Sequence, residues 1–370
     1  LGGFFCMVSI IGAGPVGNYL AGLLAEKGIC VDVYEEHKKI GKPIACTGIL
    51  TSYLNDLIKV DKSYVVNTVN QTNVYAPNGK FVNVKLKKNY VVDRALFDSY
   101  FGEIARSEGA KYHLEHGLEK LKRKNENYIL KFRNGKNVKD EKVVGADGPN
   151  SVVGRSIGLL DGREFVVGHQ ARVRVDEKVE SKVVDFFLGV GFIGWSVPES
   201  ESVVRLGVAS RKNAKMHFDW MMKKRNGKIL EWQSGVIPVY NSKLKTEKDN
   251  VYLVGDAAGQ VKATTHGGII PGMCASEILC DVLVDDLRKG SYEKGWRKKI
   301  GKDLKIHLLI RKIMNKFDEK DYDELVELTG QDKITKLIGK YDREYPSKLL
   351  ISMVFKEPRF LKYAKFLLRS

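Results

Sequence analysis

The apolar run from Met7 to Ile11 passes directly into Gly12-Ala13-Gly14-Pro15-Val16-Gly17, and a helical pattern through Leu20, Leu23 and Leu24 follows, stopping at Gly28. Few folds accommodate that junction. The first glycine permits a tight turn and the second lets backbone approach a pyrophosphate. The third, with Ala21, lets the helix sit close on a sheet. A second strand, Cys30 to Tyr34, ends in Glu35, at the distance where a carboxylate meets a ribose hydroxyl pair. Strand, glycines, helix, strand and acid in this order predict a parallel sheet that binds a dinucleotide.

Two more apolar strands end in the same way. Val143 and Val144 lead to Gly145-Ala146-Asp147-Gly148, with Ser151 and Arg155 on a short helix beyond, and Leu253 and Val254 lead to Gly255-Asp256. Small residues and the pair Gly267-Gly268 then precede a helix through Cys274, Ala275 and Ile278, whose free N–H groups suit an electron-rich ligand. One sheet can therefore touch one dinucleotide at three points. Arg94, at the entry of a helix through Leu96, Phe97 and Tyr100, is placed to hold a phosphate or an adenine edge.

Between these segments the pattern changes. Residues 64 to 92 alternate apolar and polar around an Asn78-Gly79 turn, a second hairpin turns at Asn134-Gly135, and Phe165 to Tyr240 reads as long alternating strands. This predicts an antiparallel sheet forming a separate substrate domain. Phe186, Phe187, Phe192 and Trp195 gather aromatic surface there, with Gly191, Gly194 and Pro198 shaping the loop, a pattern that suits a plain aromatic core or a long apolar substrate equally. The loop after Glu35 sets Cys46 among small residues, including Gly41, Pro43 and Gly48, beside the cofactor end of the sheet.

The 370 residues carry a net charge of +17, which calls for an anionic partner. From Arg288 onward 22 Lys and Arg face 12 Asp and Glu, so +10 of that charge lies in a C-terminal helical region. Its last segment sets Phe360, Leu361, Ala364, Leu367 and Leu368 against Arg359, Lys362, Lys365 and Arg369 at helical spacing, which suits docking on an anionic membrane surface. No zinc spacing and no RNA-binding aromatic motif occurs, so nucleic acid is not an expected partner, and no metal site is expected. Five cysteines, at 6, 30, 46, 274 and 280, make no disulfide framework and fit a reducing cytoplasm. The uncharged start is broken by Gly12, Gly14, Pro15 and Gly17, so neither a signal peptide nor a membrane span is expected, and residues 1 to 6 read as irregular.

Over about residues 7 to 290 the chain resembles the flavin-dependent geranylgeranyl reductases, within the larger group of hydroxylase-like FAD proteins. The turn at Gly12 with Glu35, the segment Gly145 to Gly148 and the segment Val254 to Gly259 resemble that group's three FAD motifs. The reductases themselves are indicated by Pro43 to Gly48 (PIACTG), Gly191 to Pro198 (GFIGWSVP) and Gly259 to Ile269 (GQVKATTHGGI). The resemblance implies FAD bound by Gly12, Gly14, Pro15, Gly17, Glu35, Cys46, Arg94, Asp147, Gly255, Asp256, Gly267, Gly268 and Ile269. It implies a prenyl pocket shaped by Phe187, Phe192, Trp195 and Pro198. It further implies hydride delivery from reduced FAD to an isolated alkene while a proton goes to the other carbon. Cys46 is the first candidate for proton handling and His266 the second, because imidazole titrates near neutrality. The family commonly has proline where Ala263 stands and glycine where His266 stands, so the backbone at His266 is expected to differ.

The expected fold class is α/β, α+β overall, in three parts. A discontinuous Rossmann-like FAD-binding domain takes residues 1–63, 91–164 and 250–290. A substrate domain takes 64–90 and 165–249, and the helical region takes 291–370. The expected activity is saturation of geranylgeranyl chains in archaeal-type isoprenoid lipid precursors, in the cytoplasm or on the inner face of the cell membrane, with ferredoxin or NAD(P)H as electron donor. An FAD monooxygenase acting on an aromatic or apolar substrate is the alternative, since the three nucleotide motifs are shared.

Overall fold

Met7–Ile11 is buried on both faces after its first residue, so it can only be an interior strand. It pairs in parallel with Cys30–Tyr34 on one side and Lys142–Gly145 on the other. The computed structural model describes residues 7–285 and 291–368. Residues 1–6 and Arg369 therefore lie outside it. The full sheet has six strands, in the order Glu247–Lys248, Val251–Leu253, Lys142–Gly145, Met7–Ile11, Cys30–Tyr34 and Lys111–His113. All pairs are parallel except the first.

Alternation along these strands sends side chains to two cores. Val8, Ile10 and Val33 pack under the helices Pro15–Glu26 and Ile269–Val284, with Leu20, Leu24, Ala275 and Leu279. Ile11, Val143, Val251 and Leu253 pack the other way, under Leu118, Leu130 and Phe132 of a three-stranded sheet. The hairpins at Gly79 and Gly135 form as expected, both with left-handed glycines.

The nine-stranded sheet takes in Val65–Tyr75, Phe81–Val92, the short Ile49–Leu50 and the strands between Phe165 and Pro238. It is antiparallel except where Val183–Phe187 runs parallel to Val65–Tyr75. Register decides what each face carries. Trp195 pairs with both Gly207 and Phe186, and Gln170 pairs with Gly207, so these four share one face. Ala171, Val173, Leu206 and Val208 face the other way and are covered by Phe218 and Met221 of the helix Ala214–Arg225. Two residues expected beside Trp195 fall on this second face. Phe187 pairs with Gly194 and stacks on Tyr75 at 4.9 Å, and Pro198 pairs with Val204. With a two-residue period, Phe186 rather than Phe187 accompanies Trp195.

The C-terminal helices wrap the far edge. Asp332–Lys340 lies on Phe81–Val92 so closely that a Cβ on Gly339 would sit 2.6 Å from the Lys85 carbonyl oxygen. The last segment departs from its expected form. Pro358–Ala364 is a 3-10 helix, so Phe360, Tyr363 and Phe366 turn inward at a spacing of three, while Leu361 and Leu367 face out. Among the described residues no helix is long and apolar enough to cross a membrane.

Candidate active site between the two sheets

The carboxyl ends of the parallel strands bring the expected dinucleotide residues together. Glu35 Oε2 accepts the Ala13 N–H at 2.8 Å, tying the second strand to the glycine turn. Its Oε1 accepts from the His37 backbone at 3.0 Å and lies 2.6 Å from His37 Nδ1. Pro15 occupies the first turn of its helix and Gly17 closes onto the Gly12 carbonyl, whereas the space over Gly14 is open. Asp147 Oδ2 accepts two N–H groups, from Val152 at 2.7 Å and Val153 at 3.1 Å, and so caps the short helix. Its Oδ1 is buried and has no hydrogen-bond partner among the described residues.

Gly255 rests against Val16, and Asp256 follows it, partly enclosed. Burial raises the Asp256 pKa, against the pull of Arg94 and Arg163. Gly268 allows this enclosure, since a Cβ there would come 2.5 Å from Asp256 Oδ1. Gly267 and Gly268 thus fold the loop back over the carboxylate and start the helix at Ile269. Arg163, which the sequence did not single out, donates to the Asp256 carbonyl at 3.1 Å and the Ala257 carbonyl at 2.8 Å. Its Nε and Nη2 are buried without partners. Arg94 is committed differently from expectation, with three hydrogen bonds of 2.9–3.2 Å to Asp98. Burial works against its charge, but Asp98 outweighs that and holds the guanidinium above its ordinary pKa.

The cysteine loop lies across the face of the nine-stranded sheet that carries Trp195. Gln170 makes the join, accepting from Thr47 Oγ1 at 2.6 Å and Trp195 Nε1 at 2.8 Å and donating to Gln233 at 2.7 Å. Arg205 donates to the Thr47 carbonyl, and to the Val92 carbonyl at 2.8 Å. Glu199 holds that arginine at 2.7 Å and Arg172 at 2.7 Å, and the two cations together keep its carboxyl below the usual range despite burial. Gly48, at φ 68°, turns the loop where a Cβ would meet Arg205 and the Val92 carbonyl at 2.7 Å. Cys46 Sγ accepts the Gly48 N–H at 3.3 Å and faces Arg94, at the border of an apolar cluster containing Ile269, Met273, Leu50 and Tyr90.

Phe192 and His266 meet end to end, their rings 6.1 Å apart and 17° from parallel. His266 has φ 56°, in the left-handed region that favours glycine. Its protonation differs from expectation. Burial, with Arg311 nearby, pushes its pKa down to about 3, leaving the imidazole neutral around neutrality, with Nε2 buried and unpartnered. Arg311, from the helix Lys302–Met314, donates to the carbonyls of Ala263, Thr264 and Phe192 at 3.0–3.1 Å. His307, one turn earlier, lies 2.6 Å from Thr264 Oγ1.

A second strap crosses from the segment before Pro346. Glu344 accepts from Thr51 at 3.2 Å and pairs with the buried Lys262, Asp342 accepts from Ser52 at 3.1 Å, and Arg343 donates to Asn89 at 2.6 Å. Among the described residues no cluster of three His, Cys, Asp or Glu could hold a metal ion.

A parallel sheet with a glycine turn and acids at its strand ends, joined to a large second sheet, defines a dinucleotide-binding class of fold. A solved geranylgeranyl bacteriochlorophyll reductase-like protein from Thermoplasma acidophilum superposes with a TM-score of 0.83 over 97% of this chain and 99% of its own, at 22% identity. The p-nitrophenol 4-monooxygenase of Pseudomonas putida follows with 0.70 over 93% and 98%, at 14% identity. No family model matches the sequence. Curated relatives narrow the class. The digeranylgeranylglycerophospholipid reductase of Methanothrix thermoacetophila is 30% identical over 365 residues, covering 90% of this chain and 93% of its own. That of Methanocaldococcus jannaschii is 29% identical over 392 residues, covering 98% of each. The chain belongs to the digeranylgeranylglycerophospholipid reductase family.

Proposed function

We propose that this protein is an FAD-dependent reductase that saturates C=C bonds in the geranylgeranyl chains of archaeal-type membrane lipid precursors. The observation that carries the reading is the family membership at nearly full length, together with an apolar face, centred on Trp195, that is hydrogen-bonded through Gln170 to the cysteine loop. FAD fits the residues present. The open space over Gly14, the free Oδ1 of Asp147 and the two unpartnered nitrogens of Arg163 suit a diphosphate and its hydroxyl-bearing linkers, and Glu35 suits the adenosine ribose. When bound, FAD supplies hydride to an unactivated alkene.

The chain's own residues do the rest. Residues 64–90 and 165–249 act as the substrate domain, and Trp195, Phe186 and Phe192 line the prenyl path. Arg311 holds the Phe192 hairpin and the loop of His266 in register, which fixes the alkene's position relative to the cofactor. Cys46 is the proton-handling group. His266 acts as a neutral wall stacked on Phe192. Ferredoxin or NAD(P)H supplies the electrons, and the protein works in the cytoplasm at an anionic membrane surface. Anaerobic reoxidation of the reduced protein by each lipid class, with mass spectrometry of products, is the test. Geranylgeranyl lipids should oxidise the flavin and gain one dihydrogen equivalent per bond. Rapid NAD(P)H-driven oxygen uptake stimulated by an aromatic compound, with no alkene reduction, would overturn the reading in favour of a monooxygenase.

A further inference from the structure

We infer that the outward face of the helix Pro346–Lys356 is the surface through which this protein docks on an anionic lipid bilayer, an inference that rests on the lipid-chain reading above. The helix turns Met353 and Val354 toward the cluster of Phe360, Tyr363 and Phe366. Its opposite side sets Lys348, Ile351 and Phe355 at spacings of three and four, on one stripe. Ile351 is 68% exposed and Phe355 83%. Water gains nothing from such a pair, and a bilayer's acyl boundary does.

The charge around the stripe fits one kind of partner. From Pro346 to Leu368 there are five cations, Lys348, Lys356, Arg359, Lys362 and Lys365, and one acid, Glu357. Glu357 is buried, 2.8 Å from Arg359 and 3.0 Å from Lys333, and Lys362 is paired with Glu324. Among the described residues Lys348, Lys356 and Lys365 have no carboxylate partner, so the charge flanking the apolar stripe is positive and unopposed. Leu361 and Leu367 add exposed apolar surface in the following segment. The helix is far too short to span a membrane, and its chemistry is that of one lying in the interface.

Position links this face to the site. The residues just before the helix, Asp342 to Glu344, hold Ser52, Asn89, Thr51 and Lys262, and Tyr345 packs edge-on against Tyr53 at 5.4 Å. The exposed stripe therefore runs along the helix that continues directly from the strap at Asp342 to Glu344. The helix Ala214–Arg225 exposes Met216 and Trp220 and is the natural comparison. It packs on the face of the nine-stranded sheet away from Cys46; its Lys215 pairs with Asp219 at 2.7 Å, and its Lys224 lies over the Trp220 ring at 5.3 Å, so position rather than charge sets it apart.

Co-sedimentation with phosphatidylglycerol and phosphatidylcholine vesicles tests the assignment, using holoprotein and no prenyl substrate, so its outcome is independent of alkene turnover. The wild type should bind the anionic vesicles and be released by salt. Ile351→Asp with Phe355→Asp should weaken that binding by at least about tenfold while retaining bound flavin, and Met216→Asp with Trp220→Asp should leave it unchanged. Unaltered binding of the Ile351/Phe355 variant, loss of binding in the Met216/Trp220 variant, or equal or absent wild-type binding to the two vesicle types would each overturn it. So would an Ile351/Phe355 variant that binds vesicles normally but differs from the wild type in oligomeric state by analytical ultracentrifugation, which would make the face a contact between copies of this chain.

Discussion

Gln170 is the residue on which the substrate face and the cysteine loop converge. It is 2% exposed, and its amide makes three hydrogen bonds, to Thr47, Trp195 and Gln233. Replacing it with Leu keeps the volume and strands three polar groups. Each stranded group costs about 1–3 kcal/mol where it stays buried, so a loss of roughly 2–4 kcal/mol is expected in urea unfolding. Trp195 should lose its fixed orientation, shifting its fluorescence, and prenyl turnover should fall while flavin content stays full. Asp256 makes the opposite prediction. On the proposed reading its carboxylate serves the cofactor, so Asp256→Ala should lose flavin on purification before any effect on the chemistry can be measured. An Asp256→Ala protein that retains stoichiometric FAD would remove Asp256 from the cofactor set.

At the level of elements, the helical region acts as a clasp. Lys262 and Glu344 are 8% and 7% exposed and pair across 82 residues of chain. Removing one partner of a buried pair leaves an uncompensated charge, at a cost of about 3–5 kcal/mol. Lys262→Met and Glu344→Leu should each destabilise by that order, and the double variant should be more stable than either single one. Strictly additive losses in a denaturant double-mutant cycle would show that the pair is not coupled in solution. The sequence made the other kind of element plain. The glycine turn, Glu35 and the strand ends at Asp147 and Asp256 were legible because each is a local pattern of strand, turn and acid. The clasp was not, because Lys262, Glu344, His307 and Arg311 carry no spacing that marks them. They meet only when helices 40 to 80 residues downstream fold back over the site. Sheet faces were legible in kind but not in parity. Two adjacent phenylalanines at 186 and 187 look alike in sequence, and only register against Gly194 and Trp195 separates them.

Across the whole molecule, the same burial that closes the site makes stability depend on pH in a definite direction. His266 and His307 are both pushed down to about 3, by burial first, then by Arg311 for the one and Lys262 for the other. Their folded values lie below the unfolded value of 6.5, so both must stay neutral for the fold to hold. The stability they support is complete above 6.5 and is lost as pH falls through the window from 6.5 toward 3. Within that window each histidine should remove roughly 1.4 kcal/mol per pH unit. Asp147 and Asp256, raised by burial, work the other way, since their protonated forms are the favoured ones in the fold, and so does Asp98, raised by burial to about 6, which softens the loss within this window. His307→Gln separates the terms, because an amide can keep the bond to Thr264 without titrating. Urea midpoints measured from about pH 7.5 down to about pH 5 should fall steeply for the wild type and roughly half as steeply for His307→Gln. Parallel slopes for the two proteins would mean that His307 is protonated in the folded state, and that the clasp over the flavin loop is open to water.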